Sequence, residues 1–230
     1  MLTLLERGDP LPRPRTLPAS AAGRALAEEI GDASAAQTFA DQASALRQAI
    51  QEHFWLEEEG QFSSFMSTGL DLSATRRYDL LASSLAILFD VASPEQAQRI
   101  LSGYPHYGPG APVMWPQQQD TPIYHNRGEW PFVSAYWLRA AAHADHKPVA
   151  NRMVHALVRG AALNLSNMEN FEAATGLPYL EEGVTSGPVV NSQRQLGDLR
   201  KDQRSNGKEP KTTSPAAWIC LALETNRLVV

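Results

Sequence analysis

Two segments carry side chains that can do chemistry. The first, TPIYHNRGEWPFVSAYWLRAA at residues 121–141, sets Tyr124, His125, Asn126, Arg127, Glu129 and Trp130 just ahead of an apolar helical stretch. The second, NLSNMENFEAATG at residues 164–176, carries Glu169 and Glu172 among amides and a phenylalanine. Polar groups taken out of water need partners, and an unpaired charge is costly to bury. Such a set of residues beside a buried helix therefore points to a ligand, because binding sites combine apolar walls with a few convergent polar groups. Aromatic faces suit sugar rings, amides and imidazole suit hydroxyls, and carboxylates suit proton transfer. The combination is that of a carbohydrate site.

Within it, Trp115 and Trp130 offer faces for stacking, while Tyr124, His125 and Asn126 offer contacts to hydroxyls. The competing reading for the tryptophans is core packing. Arg127 can meet the carboxylate of an acidic sugar or serve in a structural ion pair. Glu129 beside Trp130 can act as a proton donor if burial raises its pKa. Alternatively it is a first-turn carboxylate that favours the positive end of a helix.

These residues need a scaffold, and the apolar spacing supplies one. Residues 19–30 are Ala-rich and helical, Gly31-Asp32 is a break, and residues 35–54 repeat Phe39, Ala43, Leu46, Ile50 and Phe54 at helical spacing. FWLEEEGQFSSF reads as a turn, with Gly60 between two short extended pieces. A helix is expected over residues 77–91, with Leu81, Leu85 and Leu88 as its stripe. Ser93-Pro94 then opens another as N-cap and first helical residue, with Glu95 in the first turn. Residues 102–126 form a long loop containing Pro105, Pro109, Pro112, Pro116 and Pro122, and loops of that length are uncommon unless functional. A helix over 129–143 places Trp130, Val133, Trp137 and Ala141 on one face, and one over 148–163 places Val149, Met153, Ala156 and Gly160. No convincing strand exceeds a few residues. The expected class is all-α, an array of helical hairpins.

The flanks differ in composition. Residues 1–18 are rich in Pro and Arg and read as an irregular leader; residues 19–196 form the helical domain. Residues 197–230 read as an irregular tail with a short apolar helix over 216–223, preceded by an amphipathic start at 189–196.

Composition excludes several functions. Of 230 residues, 43% are apolar and 20% charged, which is enough for a sizeable core. A net charge of −5 gives no electrostatic footprint for nucleic acid. Cys220 is the only cysteine, so no internal disulfide forms and a cysteine-based metal site is implausible. The six histidines lack zinc-site spacing, and no phosphate-loop or nucleophile-elbow pattern occurs. No metal and no cofactor is expected. No apolar run nears the roughly 18 residues of a membrane span, and the start has no signal-peptide core. The expectation is a cytoplasmic protein with a carbohydrate partner, no nucleic-acid or membrane partner, and self-association through exposed hairpin faces.

Five segments in chain order carry a family resemblance: RRYDLLASSLAIL at 76–88, GAPVMWPQQ at 110–118, YHNRGEWPF at 124–132, ENFEAATG at 169–176 and SGPVVNSQRQL at 186–196. Residues 19–196 resemble the six-hairpin, (α/α)6-barrel glycoside hydrolases, and most nearly the mannosylglycerate-hydrolase-like group, related to the glucosidase, trehalase and debranching-enzyme clans. The resemblance implies a helical toroid with a sugar-binding funnel. It also implies hydrolysis with inversion of an α-linked glycoside, one carboxylic acid protonating the leaving oxygen while another activates water across roughly 6.5–9.5 Å. ENFEAATG matches the segment that carries the family's base, which puts Glu169 in that role. Gln193, with Arg194, would line the funnel. The family's acid motif has no match here, and the chain is expected to cover about half of such a barrel. A non-catalytic remnant or sugar-binding helical module is the alternative.

Overall fold

The computed structural model describes residues 17–67, 73–118, 124–164 and 170–177. Among them run six α-helices: α1 (Leu17–Glu29), α2 (Ala33–Phe54), α3 (Leu80–Leu88), α4 (Pro94–Gly103), α5 (Pro131–His143) and α6 (Lys147–Asn164). Three antiparallel strand pairs, each strand two residues long, sit between them: β1 (Trp55–Leu56) with β2 (Gln61–Phe62), β3 (Tyr78–Asp79) with β4 (Met114–Trp115), and β5 (Gly128–Glu129) with β6 (Phe171–Glu172). The class is all-α, as the spacing of apolar residues requires. α1 begins at Leu17, two residues inside the stretch read as an irregular leader. Residues 1–16, the stretch 189–196 and the whole of 197–230 lie outside the described residues.

Local chemistry sets the helix limits. Asp32 caps α2 by accepting from the Ala35 N–H at 2.9 Å, and Gly31 makes the turn before it with φ of +76°. Ser93 and Gln96 form a reciprocal capping box on α4, with Pro94 in the first turn. α1 and α2 approach closely where Gly23 meets the Phe39 ring, since a Cβ there would lie 2.8 Å from that ring.

Ala43, Leu46 and Ile50 of α2 face one core together with Ile100 and Leu101 of α4 and Trp137 of α5. Gln51 and Gln96 exchange side-chain amide bonds of 2.7 and 3.0 Å, tying α2 to α4. α3 packs against α5, and α5 against α6.

The buried face of α3 is a correction to the sequence pattern. Leu81, Leu85 and Leu88 are only half-buried, whereas Leu80, Ala82, Ser83, Ser84, Ala86 and Ile87 are buried. α3 is apolar nearly all round, so periodicity alone could not choose its inner face.

Val113 joins the start of α3 to β5, the strand just ahead of α5. Its carbonyl accepts from the Leu80 N–H and its own N–H donates to the Gly128 carbonyl, both at 2.9 Å. The two helices therefore begin side by side at one end of the array, and the polar segments gather at that end.

Candidate functional site

The site is built on β5, β6 and the loop between α4 and α5. β5 precedes α5 and pairs with β6 in the register Gly128 with Glu172 and Glu129 with Phe171. The two polar segments singled out by residue type are thus strand partners. The Ala173 N–H donates to the Arg127 carbonyl at 2.8 Å, and Gly176, with φ of +72°, closes the turn by donating to the Glu172 carbonyl at 2.7 Å. Glu172 accepts from the Thr175 N–H at 2.8 Å and lies 3.7 Å from Arg127 Nε. In the described residues Arg127 has Glu172 as an ion-pair partner.

Glu129 is not in the first turn of α5, as a dipole-favouring carboxylate would be. α5 starts at Pro131, Trp130 is its N-cap, and Glu129 belongs to β5. The backbone pairing with Phe171 holds Glu129 extended, which is why the helix opens two residues later than its apolar pattern suggests. Glu129 is only 3% exposed. Its Oε1 accepts from Ser134 Oγ at 3.3 Å, and the Gly110 backbone covers the carboxyl so closely that a Cβ on Gly110 would overlap it. Burial drives its pKa up to about 8, opposed only by the Ser134 hydroxyl, so the group is a neutral acid at pH 7.

Aromatic rings assemble next to it. The His125 ring stacks on Trp130 at 5.2 Å and 20°, and Tyr124 meets both edge-on at 4.5 Å. Trp130 Nε1 donates to the Tyr124 carbonyl at 2.9 Å, which fixes the indole. Tyr124 and Trp130 are half-buried and His125 is exposed, so this cluster is open to solvent on one side. Asn126 is 1% exposed, and its amide both donates to and accepts from the Gln118 backbone, holding the preceding loop. Trp115, half-buried, pairs with Tyr78 through β3 and β4.

Asp79 caps α3 by accepting from the Ala82 N–H at 2.6 Å. Burial raises its pKa, the Ala82 N–H opposes that, and His125 also draws it down, which puts His125 within electrostatic reach of the start of α3. Arg76 pairs with Glu59 at 2.6 Å, which ties the segment ahead of β3 to the turn between β1 and β2.

The β5–β6 pair and the start of α5 thus bring together Tyr124, His125, Asn126, Arg127, Glu129 and Trp130, while Trp115 sits in β4 opposite Tyr78. Glu169 and Gln193 lie outside the described residues. Residue type alone did not mark Gly110 and Ser134, the two neighbours of the Glu129 carboxyl. Nor did it mark Asn170, which is 3% exposed and whose Oδ1 has no partner among the described residues. Gly110 opens one of the quoted motifs and Asn170 lies inside another, but only the fold shows what they touch.

No family model and no curated protein matches the chain. Among solved structures, the neutral trehalase of Saccharomyces cerevisiae matches with a TM-score of 0.50 at 17% identity, over 62% of this chain and 28% of that one. The likeness is one of fold. It agrees with a partial (α/α)6 array of helical hairpins, spanning little more than a quarter of the trehalase's length. Among the described residues no helix is long and apolar enough to cross a membrane.

Proposed function

We propose that this chain belongs to a glycoside hydrolase that acts with inversion on an α-linked glycoside. The observation that carries the reading is the β5–β6 register, which joins the aromatic segment around Trp130 to the carboxylate-bearing segment that follows Glu169. In this reading His125, Tyr124, Trp130 and Trp115 form the wall for the sugar, and Gln193 adds to it. Glu169, which precedes Asn170 in sequence, activates water as the base. Glu129 holds the proton for the leaving oxygen. Its support is the pKa of about 8, since a donor must be protonated at working pH. Inversion requires water on the face of the sugar opposite the acid, between the two carboxyl groups. The mannosylglycerate-hydrolase-like specificity rests on the motif resemblance; a trehalase as structural neighbour adds trehalose to the substrates worth testing.

One observation favours a second reading, a sugar-binding helical module without turnover. Gly110 covers the Glu129 carboxyl, and a proton donor must reach the glycosidic oxygen. The deciding experiment measures hydrolysis of trehalose, other α-linked disaccharides and glycerate glycosides by the full chain, beside Glu169→Gln and Glu129→Gln. The hydrolase reading expects turnover with an inverted first-formed anomer, lost in Glu169→Gln. Quenching of tryptophan fluorescence by a sugar with no turnover by the folded wild type would favour the module.

A further inference from the structure

The two outermost helices of the described array differ in charge and are alike in exposed apolar surface. α1 packs on α2, and α6 packs on α5. At the C-terminal end of α1, Leu26 is 62% exposed and Ile30, one turn on, 78%. Glu28, Glu29 and Asp32 are exposed around them. Glu28 is met by Arg24 at 2.7 Å and Asp32 caps α2, which leaves Glu29 without an ion-pair partner among the described residues.

α6, KPVANRMVHALVRGAALN, contains no carboxylate. Its inner face buries Met153 and Ala156, while its outer face shows Val158 at 51% and Leu163 at 60%, with Arg152, His155 and Arg159 exposed beside them. None of these three basic side chains has an ion-pair partner among the described residues. One end of the array is thus acidic and apolar, the other basic and apolar. Large exposed aliphatics bordered by unpaired charge mark an interaction surface, and opposite charge on the two ends selects which surface meets which.

We propose that the occupant of these ends is a second copy of this chain, docked head to tail, with α1 of each copy against α6 of the other. Two copies related by a twofold axis make this contact twice. A head-to-tail interface that repeats under rotation closes into a ring instead of growing into a fibre when the rotation closes. The described residues contain six helices, so two copies place twelve around the ring, the number of an (α/α)6 toroid. This proposal goes beyond the glycosidase reading and stands on fold and surface charge, so it survives or fails independently of turnover.

The test is the mass of the full chain in solution by light scattering and sedimentation across a concentration series. The chain mass is 25.2 kDa, and the proposal expects a species of twice that, weakening as salt rises. Glu29→Lys alone and Arg159→Glu alone should each weaken association at least tenfold. Both changes in one chain should restore it, because the two positions face each other across the interface. The substituted side chains are exposed, and circular dichroism confirms that each variant is folded. A monomer at every concentration overturns the proposal. So does open-ended growth, or a dimer that the combined swap fails to restore, since that is the behaviour of α1 docked on α1.

Discussion

The backbone of Gly110 lies directly on the carboxyl group of Glu129, with no room between them for even a methyl group. Gly110 belongs to the loop after α4, and Glu129 to the strand before α5. The contact therefore closes the loop onto the site.

Gly110→Ala should destabilise the chain by about 1–3 kcal/mol, the usual cost of overpacking a tight interior. Gly108→Ala is the internal control, since a Cβ there meets nothing within 4 Å. Urea denaturation of both variants checks this: the midpoint should fall for Gly110→Ala and stay near wild type for Gly108→Ala.

Glu129 makes stability depend on pH on the neutral and alkaline side. Its folded pKa of about 8 lies above the unfolded value of about 4.5, so the folded state holds the proton that the unfolded state releases. Stability from this group is full below pH 4.5 or so and declines as pH rises towards 8. Glu129→Gln keeps the shape without the charge. Its stability relative to wild type should therefore grow with pH across that window, by on the order of a few kcal/mol, given 1.36 kcal/mol per pKa unit. A constant difference from pH 5 to pH 8 would refute the assignment.

His106 acts in the opposite direction. Burial, with Arg152 nearby, lowers its pKa to about 4, and its Nε2 accepts from Trp137 Nε1 at 2.9 Å. The folded state prefers neutral imidazole, so stability from this group is present above pH 6.5 and is lost as pH falls towards 4. A nuclear magnetic resonance titration should show the His106 ring neutral at pH 5.5. Trp137→Phe removes the donor and should move its midpoint upward.

The α4 cap offers a graded test. Ser93→Ala removes the side-chain acceptor from the Gln96 N–H and should cost about 1 kcal/mol. Gln96→Ala removes the reverse half of the box and also both amide bonds to Gln51. It should cost more, as measured by thermal unfolding.

The parts of the fold that local chemistry decides were legible in the sequence. Gly31-Asp32, Gly60 and Ser93-Pro94 act on residues next to them, and the breaks fall where those residues stand. The stripe Ala43, Leu46, Ile50 was equally readable because the opposite face of α2 is polar. The inner face of α3 was not, since an apolar helix without a polar side gives periodicity nothing to measure. The start of α5 was misplaced because β6, distant in sequence, holds Glu129 extended. Residue type picked out both polar segments, but their pairing is a long-range fact. So is the contact of Gly110 with Glu129, in which one partner has no side chain to attract attention.

The Val113 link carries a consequence for local opening. The Leu80 amide is held by the carbonyl of Val113, and the amide of Val113 by Gly128. A helix start usually frays by itself, but here one residue of a loop ties the start of α3 to the strand before α5. Lifting Val113 away exposes the Leu80 and Val113 amides in a single event, so their hydrogens should exchange with solvent at matched opening free energies. The start of α3 and the strand before α5 then form one cooperative unit, and the aromatic cluster beside them is kept in shape by a residue that contributes no ring to it.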